Sequence, residues 1–352
     1  MKPRFAMYWA AGCGGCDIAV LNVGELLLRV GEAFDIVFWP AAMDGKVADV
    51  EALPDGSIDL TLFSGGIRTT ENEELARLLR AKSRTLVAFG SCAGEGCVPG
   101  LANLSTVEDL LEASFGPDRA DTADAARPLL AWSPPGDGST DGGSRPADGA
   151  GRSSGNGALH LPGLLPLLRT LDQTVPVDYY VPGCPPESAR VAEVLEAVLA
   201  SLAGGPALPP RGSVLGAGTS TVCETCRRTR NVKRIAAFAR IQELPSIDPE
   251  LCLLEQGLPC NGPATRAGCG ALCPAAGVPC IGCYGPADGV VDAGARLLSA
   301  FASVVDATEP ADIERILDGI PDPVGQAYRF TLPASLLGGA RRAVTSGRNP
   351  QP

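Results

Sequence analysis

The sequence predicts an α/β fold in which a doubly wound parallel sheet is followed by a second domain with little regular structure. Strand-like and helix-like segments alternate through residues 1–203, and this alternation stops in residues 204–352, which are rich in Gly and Pro. Strand–helix–strand repetition is typical of a parallel sheet with helices on both faces. We therefore predict two domains, 1–203 and 204–352.

The strand prediction rests on short apolar runs bounded by turn residues. Five such runs are present: Phe5–Ala10, Phe34–Trp39, Ile58–Phe63, Leu86–Phe89 and Val177–Val181. Helical spacing of Leu and Val, with acidic residues near the start, predicts helices at Asp17–Val30, Thr70–Lys82, Glu187–Leu202, Asp288–Val305 and Ala311–Ile320. In sheets of this kind, ligands bind beyond the carboxyl ends of the strands.

Composition limits the classes of partner and the compartment. The net charge of −11 argues against nucleic acid and anionic membrane surfaces, because both require a basic face. The N-terminal residues show no apolar signal core, and no run of 18 apolar residues occurs. We therefore expect a cytoplasmic protein without direct membrane insertion. Residues 134–157, dominated by Gly, Pro, Ser and Asp, are predicted to be a flexible insertion.

The 13 cysteines carry the chemistry of the sequence. An odd number of cysteines in a reducing compartment is not typical of a disulfide framework and favours metal ligands. Five of them fall in Gly- or Pro-rich turns directly after predicted strands, namely Cys13, Cys16, Cys92, Cys97 and Cys184. Because the carboxyl ends of parallel strands meet at one edge of the sheet, we expect these thiols to converge.

Twelve cysteines divide by spacing and placement into three sets of four. The first set is Cys13, Cys16, Cys92 and Cys184; the second set is Cys223, Cys226, Cys252 and Cys260; the third set is Cys269, Cys273, Cys280 and Cys283. Four thiolates hold either a zinc ion or a 4Fe-4S cluster. Cysteines followed by proline, as in Cys184-Pro185 and Cys273-Pro274, favour iron–sulfur ligation, and zinc stays open on these grounds. The distant Cys92 and Cys184 disfavour a thioredoxin-like dithiol at Cys13-x-x-Cys16.

Longer motifs around these cysteines carry a resemblance to a known family. The stretches 11–17 (AGCGGCD), 90–93 (GSCA) and 182–186 (PGCPP) resemble the small subunit of [NiFe] hydrogenases, and the same trio marks the related cluster-bearing subunit of respiratory complex I. Stretches 53–59, 67–74, 96–103, 252–257 and 262–271 are similar to the gamma subunit of the methyl-viologen-reducing (deazaflavin-non-reducing) hydrogenases, which pair with heterodisulfide reductase in methanogens. The resemblance covers residues 4 to about 286 outside the insertion.

The resemblance implies a flavodoxin-like domain, a ferredoxin-like iron–sulfur domain and three 4Fe-4S clusters. The first set would hold a proximal cluster facing a Ni–Fe centre in a separate large subunit. The third set would hold a medial cluster and the second set a distal cluster, an order that comes from the resemblance and not from spacing. Electrons from dihydrogen oxidation would leave to an iron–sulfur or flavin subunit, heterodisulfide-reductase-like or other. This chain would contribute no catalytic residue.

Three alternatives remain at this level. The small subunit of an NAD(P)-linked sulfhydrogenase also has three clusters, but it passes electrons to a flavoprotein. The complex I subunit lacks a second domain with eight cysteines. A zinc-binding scaffold protein belongs to a different class, and a colourless protein with bound zinc would indicate it.

The remaining candidates are interpreted conservatively. Cys97 follows Cys92 by five residues, a spacing that oxygen-tolerant relatives use for an extra ligand, but those relatives also carry a cysteine where this chain has Gly15. We therefore interpret Cys97 as a thiol near the cluster without ligation. His160 is interpreted as a surface residue. Arg227, Arg228 and Arg230 follow Cys226 and are interpreted as a solvated face or, alternatively, as groups that raise the potential of the distal cluster or guide an acidic partner. Glu25, Glu71 and Glu74 are interpreted as helix-surface residues or, alternatively, as groups in proton transfer near the subunit interface.

Overall fold

A five-stranded parallel sheet forms the first part of the computed structural model, which describes residues 2–116, 131–132, 159–231 and 234–338. The strands are β1 (Arg4–Trp9), β2 (Asp35–Phe38), β3 (Ile58–Ser64), β4 (Ile67–Thr69), β5 (Ser83–Phe89), β6 (Ala131–Trp132), β7 (Leu159–His160), β8 (Leu164–Arg169) and β9 (Tyr179–Val181). The sheet has the order β2-β1-β3-β5-β9, and all its neighbours pair in parallel. This is the strand order of flavodoxin-like sheets, so the predicted fold class is confirmed.

Helices cover both faces of this sheet. The helices are α1 (Gly15–Leu21), α2 (Leu26–Ala33), α3 (Val47–Glu51), α4 (Thr70–Lys82), α5 (Ser91–Glu95), α6 (Val107–Phe115), α7 (Ser188–Leu202), α8 (Val222–Thr225), α9 (Leu272–Ala275), α10 (Ala293–Ala302), α11 (Pro310–Leu317) and α12 (Pro323–Tyr328). Short 3-10 helices occupy Val98–Leu104, Leu171–Gln173, Ile241–Glu243 and Leu332–Ala334.

Two hydrophobic cores lie on opposite faces of the sheet because side chains alternate along each strand. Phe5 and Met7 of β1 pack with α1, α2 and α7 on one face. Ala6 and Tyr8 of the same strand pack with α3 and α4 on the other face. The alternation along one strand therefore fixes which helices lie on which face.

Most predicted elements are present, and the differences have local causes. Helix α4 has the predicted bounds, since Thr69 and Asn72 form a capping box at its start. The predicted helix Asp17–Val30 is wrong as a single element, because the chain forms α1 and α2 with Gly24 between them at φ 67°. The antiparallel pair β4–β8 was not predicted. The predicted insertion 134–157 lies outside the described residues.

The second region has little regular structure, as predicted. Its longest helix is α10, shorter than the predicted Asp288–Val305, and α11 follows close to its predicted place. The core of this region contains Cys260 and Cys280 among aromatic and aliphatic side chains of α10 to α12. No helix in the described parts of the chain has the length and apolar character needed to cross a membrane. The domain boundary at 203/204 stays a prediction.

Several hydrogen bonds join the second region to the sheet. Ser91 Oγ donates to the carbonyl of Cys283, and the backbone N–H of Cys97 donates to the carbonyl of Phe330 at 3.1 Å. The hydroxyl of Tyr284 accepts from the backbone N–H of Glu187 at 3.1 Å. The cysteine-rich region therefore lies against the carboxyl edge of the sheet, where β5 and β9 end.

Candidate metal centres

The first set of cysteines converges at the carboxyl ends of the sheet strands. One cavity, here the first cavity, is lined by all four of its thiols together with Ser64 and Gly65 from the end of β3. The loop after β1 supplies Cys13, and the first turn of α1 supplies Cys16. The start of α5 supplies Cys92, and the turn after β9 supplies Cys184. The convergence predicted from strand ends is therefore present in the structure.

Gly90 makes this close approach possible. It ends β5 at φ 84° and ψ 160°, a conformation that residues with a Cβ rarely adopt. A Cβ at this position would lie 2.3 Å from the sulfur of Cys16. The turn that Gly90 permits also directs Ser91 toward the next strand end, where its Oγ accepts from the N–H of Gly183 at 3.1 Å.

The buried carboxylate of Asp17 anchors the segment that carries Cys13 and Cys16. Asp17 accepts from Trp39 Nε1 at 2.9 Å and from Ser64 Oγ at 3.4 Å. These bonds tie the first turn of α1 to β3 and to the residue after β2. Because Asp17 directly follows Cys16, its anchoring fixes where that thiol lies.

The second set lines a separate cavity, here the second cavity, together with Arg228, Arg230 and Gly262. Its members are Cys223 on α8, Cys226 just after α8, and Cys252 and Cys260 on loops. A Cβ on Gly262 would lie 3.0 Å from the sulfur of Cys223, so glycine leaves room for the thiols here as well. The spacing-based partition agrees with the cavity that these residues share.

Arg228 is a structural part of this cavity. Its Nε donates to the carbonyl of Pro274 at 2.7 Å, and its Nη1 donates to the carbonyls of Asp248 at 2.7 Å and Leu251 at 2.9 Å. Arg227 and Arg230 are exposed. The guanidinium of Arg228 thus links the loop before Cys252 to the helix that carries Cys273.

The third set lines the largest of these three cavities, about 530 Å³, here the third cavity. Cys273 lies on α9, while Cys269, Cys280 and Cys283 lie on loops. Cys13 of the first set also lines this cavity, and Cys13 and Cys273 are the two exposed cysteines of the chain. The third cavity therefore opens at the seam between the sheet and the second region.

The third set contacts both other sets. Toward the first set, Cys283 and Cys184 pack against the same buried cluster of Cys92, Cys97 and Phe330. Toward the second set, the backbone N–H of Cys280 donates to the sulfur of Cys260 at 3.3 Å. One end of the Cys280–Cys283 loop thus faces the second set, and the other end faces the first.

Burial and mutual repulsion raise the pKa of many of these thiols. Burial is the largest cause for Cys16, Cys223, Cys260, Cys280 and Cys283, and the charges of neighbouring cysteines add to it. The pKa values of Cys223 and Cys283 rise to about 12. Four neighbouring thiolates therefore need a bound cationic group to stay ionised together.

This donor chemistry fits iron–sulfur clusters. Each set offers four sulfurs around a shared cavity. Backbone N–H groups also donate to sulfur, from Gly15 to Cys13 at 3.4 Å and from Cys280 to Cys260 at 3.3 Å. Across the described residues, no group of three or more His, Cys, Asp or Glu side chains is drawn together tightly enough for one metal ion. All 13 cysteines are free thiols.

Cys97 lies against the first set. Its side chain is 0% exposed, and its sulfur donates to the sulfur of Cys184 at 3.4 Å. Hydrogen bonds to Cys184 and Cys92 raise the pKa of Cys97, and the same contact lowers the pKa of Cys184 to about 7. The φ of 50° at Cys97 and its bond to Phe330 fix it in this place. It does not line the first cavity.

Other predicted candidates lie on the surface. His160 is exposed at the end of β7. Glu25 is exposed before α2, and Glu71 and Glu74 are exposed on α4. These positions agree with the interpretation of solvated side chains.

Three polar residues beside the cysteines were missed by sequence reasoning. Ser91 bridges Gly183 and Cys283, Thr265 hydrogen-bonds the thiol of Cys280, and Asn261 donates to the carbonyl of Cys280 at 2.8 Å. Adjacency to a cysteine is the only sequence signal for Ser91 and Asn261, and it does not reveal which distant loop each residue holds.

Comparisons with known proteins agree on one group. The family model described as NADH ubiquinone oxidoreductase, 20 Kd subunit, matches residues 13–198. The chain is 37% identical over 344 residues to the iron-sulfur subunit of the F420-non-reducing hydrogenase of Archaeoglobus profundus, covering 96% of this chain and 98% of that protein. It is 33% identical over 340 residues to the corresponding subunit of the F420-non-reducing hydrogenase of Methanothermobacter marburgensis, covering 96% of each. A chain of an NAD+-reducing [NiFe]-hydrogenase structure in the H2-reduced state aligns with 29% identity and a TM-score of 0.45, covering 60% of this chain and 96% of that chain.

Proposed function

Because the chain belongs with these subunits of the F420-non-reducing hydrogenases, within the NADH–ubiquinone oxidoreductase 20 kDa subunit family, we propose that it relays electrons through three 4Fe-4S clusters. It is a component of an oxidoreductase complex. The electrons would come from dihydrogen oxidation in a partner [NiFe] large subunit and leave to an acceptor subunit. The proposed compartment is the cytoplasm.

The observation that carries this proposal is the position of the third set. Cys283 packs beside Cys92 and Cys184 of the first set and accepts at its carbonyl from Ser91, and Cys280 donates to Cys260 of the second set. A relay of three clusters needs one cluster within electron-tunnelling distance of the other two. Only a set that contacts both other sets can hold that cluster. This supports a proximal site in the first set, a medial site in the third and a distal site in the second.

The residues of each set would hold one cluster, which when bound stores and releases single electrons. The first set would hold its cluster against the rigid strand ends of the sheet. The third cavity would place Cys280 and Cys283 at opposite sides of the medial site. The second set would be bounded by the half-buried guanidinium of Arg228, whose positive charge favours the reduced form.

Exposed side chains beside the first and second sets indicate where partners would dock. Cys13 lies at the opening of the third cavity beside the first set, so a large subunit covering this seam would exclude water from the proximal site. The acceptor, an iron–sulfur or flavin subunit, heterodisulfide-reductase-like or other, would dock at the second set. Arg227 and Arg230 are exposed there.

Anaerobic purification of the complex with metal and sulfide analysis tests the proposal. Three clusters require ~12 iron atoms and as many sulfides per chain. About 3 zinc atoms in a colourless protein would instead identify the scaffold alternative and overturn the relay.

Loss of one ligand tests the assignment of the first set. Cys184→Ser should reduce iron to ~8 atoms per chain and abolish dihydrogen-driven dye reduction, because the proximal site is lost while the other two remain. Cys97→Ala is the matched control, since its sulfur lies 3.4 Å from that of Cys184 but outside the set, and it should keep ~12 iron atoms. Dye reduction that persists in Cys184→Ser would contradict the assignment.

A further inference from the structure

The second and third sets meet at one backbone hydrogen bond inside the protein. The N–H of Cys280 donates to the sulfur of Cys260 at 3.3 Å, and both cysteines are buried. Hydrogen bonds to cluster sulfurs help to set reduction potentials, and a charge-assisted bond is strong where water is excluded. The geometry of this single contact therefore bears on electron transfer between the two sets.

Asn261 holds the backbone on both sides of this contact. It directly follows Cys260, is 5% exposed, and its own N–H donates to the carbonyl of Cys280 at 2.8 Å. The two chain segments are thus bridged twice, since Cys280 donates to Cys260 and accepts from Asn261. The side-chain Nδ2 of Asn261 donates to the carbonyl of Ile281 at 3.2 Å.

The side chain of Asn261 is itself fixed by α12. Its Nδ2 also donates to the carbonyl of Gln326 at 2.8 Å, and its Oδ1 accepts from Gln326 Nε2. Gly282 packs against this amide, because a Cβ there would lie 3.3 Å from Nδ2. The amide therefore has partners for both its donors and its acceptor, and its orientation is determined by them.

We propose that Asn261 is a positioning residue for the contact between the medial and distal sites, because it holds the N–H of Cys280 on the sulfur of Cys260. This inference rests on the proposed relay. Cys280 and Cys260 would each hold one cluster, and the transfer between the two sites would be of a single electron, with one cluster oxidised, the other reduced, no bond made or broken and no proton moved. Asn261 acts on it through Cys260 and Cys280.

Potentiometric titration followed by electron paramagnetic resonance, on the intact complex, tests the proposal. In Asn261→Ala the Cys280 loop loses its side-chain clamp, so the hydrogen bond on Cys260 weakens. The distal midpoint potential should then move to a more negative value, while the proximal potential stays unchanged. A rapid-mixing experiment with dihydrogen should show slower reduction of the distal cluster than in the unmodified complex.

Asn103→Ala is the matched control. Asn103 is also an amide that clamps backbone, since its Nδ2 donates to the carbonyl of Leu168 at 2.9 Å and its Oδ1 accepts from the N–H of Leu168 at 2.7 Å. It should lower stability without changing any potential. An unchanged distal potential in Asn261→Ala, or an equal shift of all three potentials, would overturn the proposal.

A second variant covers the case in which Asn261→Ala fails to assemble. Gln326→Ala removes the side-chain bonds to Asn261 Oδ1 and to the carbonyl of Pro259 and leaves the carbonyls of Gln326 and Ile281 in place, so it should shift the distal potential in the same direction by less. No shift in an assembled Gln326→Ala complex would also refute the inference. The proposed function is judged separately on the unmodified complex, which must show three clusters that dihydrogen reduces.

Discussion

Substitution of Gly90 by alanine should remove the proximal site while leaving the other two. The residue lies at φ 84° and ψ 160°, where a residue with a Cβ costs roughly 1–3 kcal/mol. The new Cβ would also lie 2.3 Å from the sulfur of Cys16, far inside van der Waals contact, and relief of such a clash costs roughly 1–3 kcal/mol. If Cys16 stays in place, the expected loss of unfolding free energy is therefore roughly 2–6 kcal/mol. Movement of Cys16 would relieve the clash and leave the backbone cost.

Movement of Cys16 is the expected outcome, because the backbone of Gly90 is fixed. Its N–H donates to the carbonyl of Val181 at 2.8 Å, and it joins β5 to α5. The sulfur of Cys16 would leave the first cavity and deprive the proximal cluster of one ligand. Iron should fall from ~12 to ~8 atoms per chain, and the proximal resonance signal should disappear.

Gly24→Ala is the matched control for backbone strain. Gly24 has a φ of 67°, and a Cβ there would meet nothing within 4 Å. This variant should cost roughly 1–2 kcal/mol of unfolding free energy and keep all its iron. Denaturant unfolding under anaerobic conditions measures the first quantity, and iron analysis measures the second. A Gly90→Ala protein with a full complement of iron would refute the steric reasoning.

Two further predictions concern the neighbourhood of the clusters. Cys97→Ala removes the thiol that donates to Cys184, so the proximal midpoint potential should become more negative in a potentiometric titration; loss of ~4 iron atoms would instead show that Cys97 is a ligand. Removal of iron by a chelator should make residues 204–338 sensitive to protease before the sheet region, residues 4–116 and 159–202, because the core of the second region includes Cys260 and Cys280. Mass spectrometry of the fragments locates the cleavage sites. Equal sensitivity of both regions would contradict this expectation.

The sheet could be predicted from the sequence because its strands are short apolar runs that are buried on both faces. The break between α1 and α2 could not, since helical spacing continues across Gly24 and only its backbone conformation interrupts the helix. Strand β8 was missed because Pro166 lies within it and because its partner β4 is distant in the chain. The periodicity of apolar residues predicts local structure, and it does not predict pairing between strands that are distant in the chain.

The candidate site also has features that the sequence predicts and features that only the structure shows. Strand ends predicted that Cys13, Cys92 and Cys184 would meet, since parallel strands end at one edge. Spacing separated the second set from the third but gave no distance between them. The bond from Cys280 to Cys260 depends on Asn261, and the role of Arg228 depends on three carbonyls far from it in sequence. Contacts of this kind arise from tertiary structure alone.

The bond between Ser91 and Cys283 has a consequence for the order of assembly. The first set is spread from position 13 to position 184 and exists only when the central strands have paired, whereas the other eight cysteines lie between 223 and 283. Chains fold from the N-terminus during synthesis, and long loops close slowly. We therefore expect the strand ends that form the first cavity to come together while the Cys283 loop is still absent, so that its four thiols are assembled before Ser91 can bond to that loop.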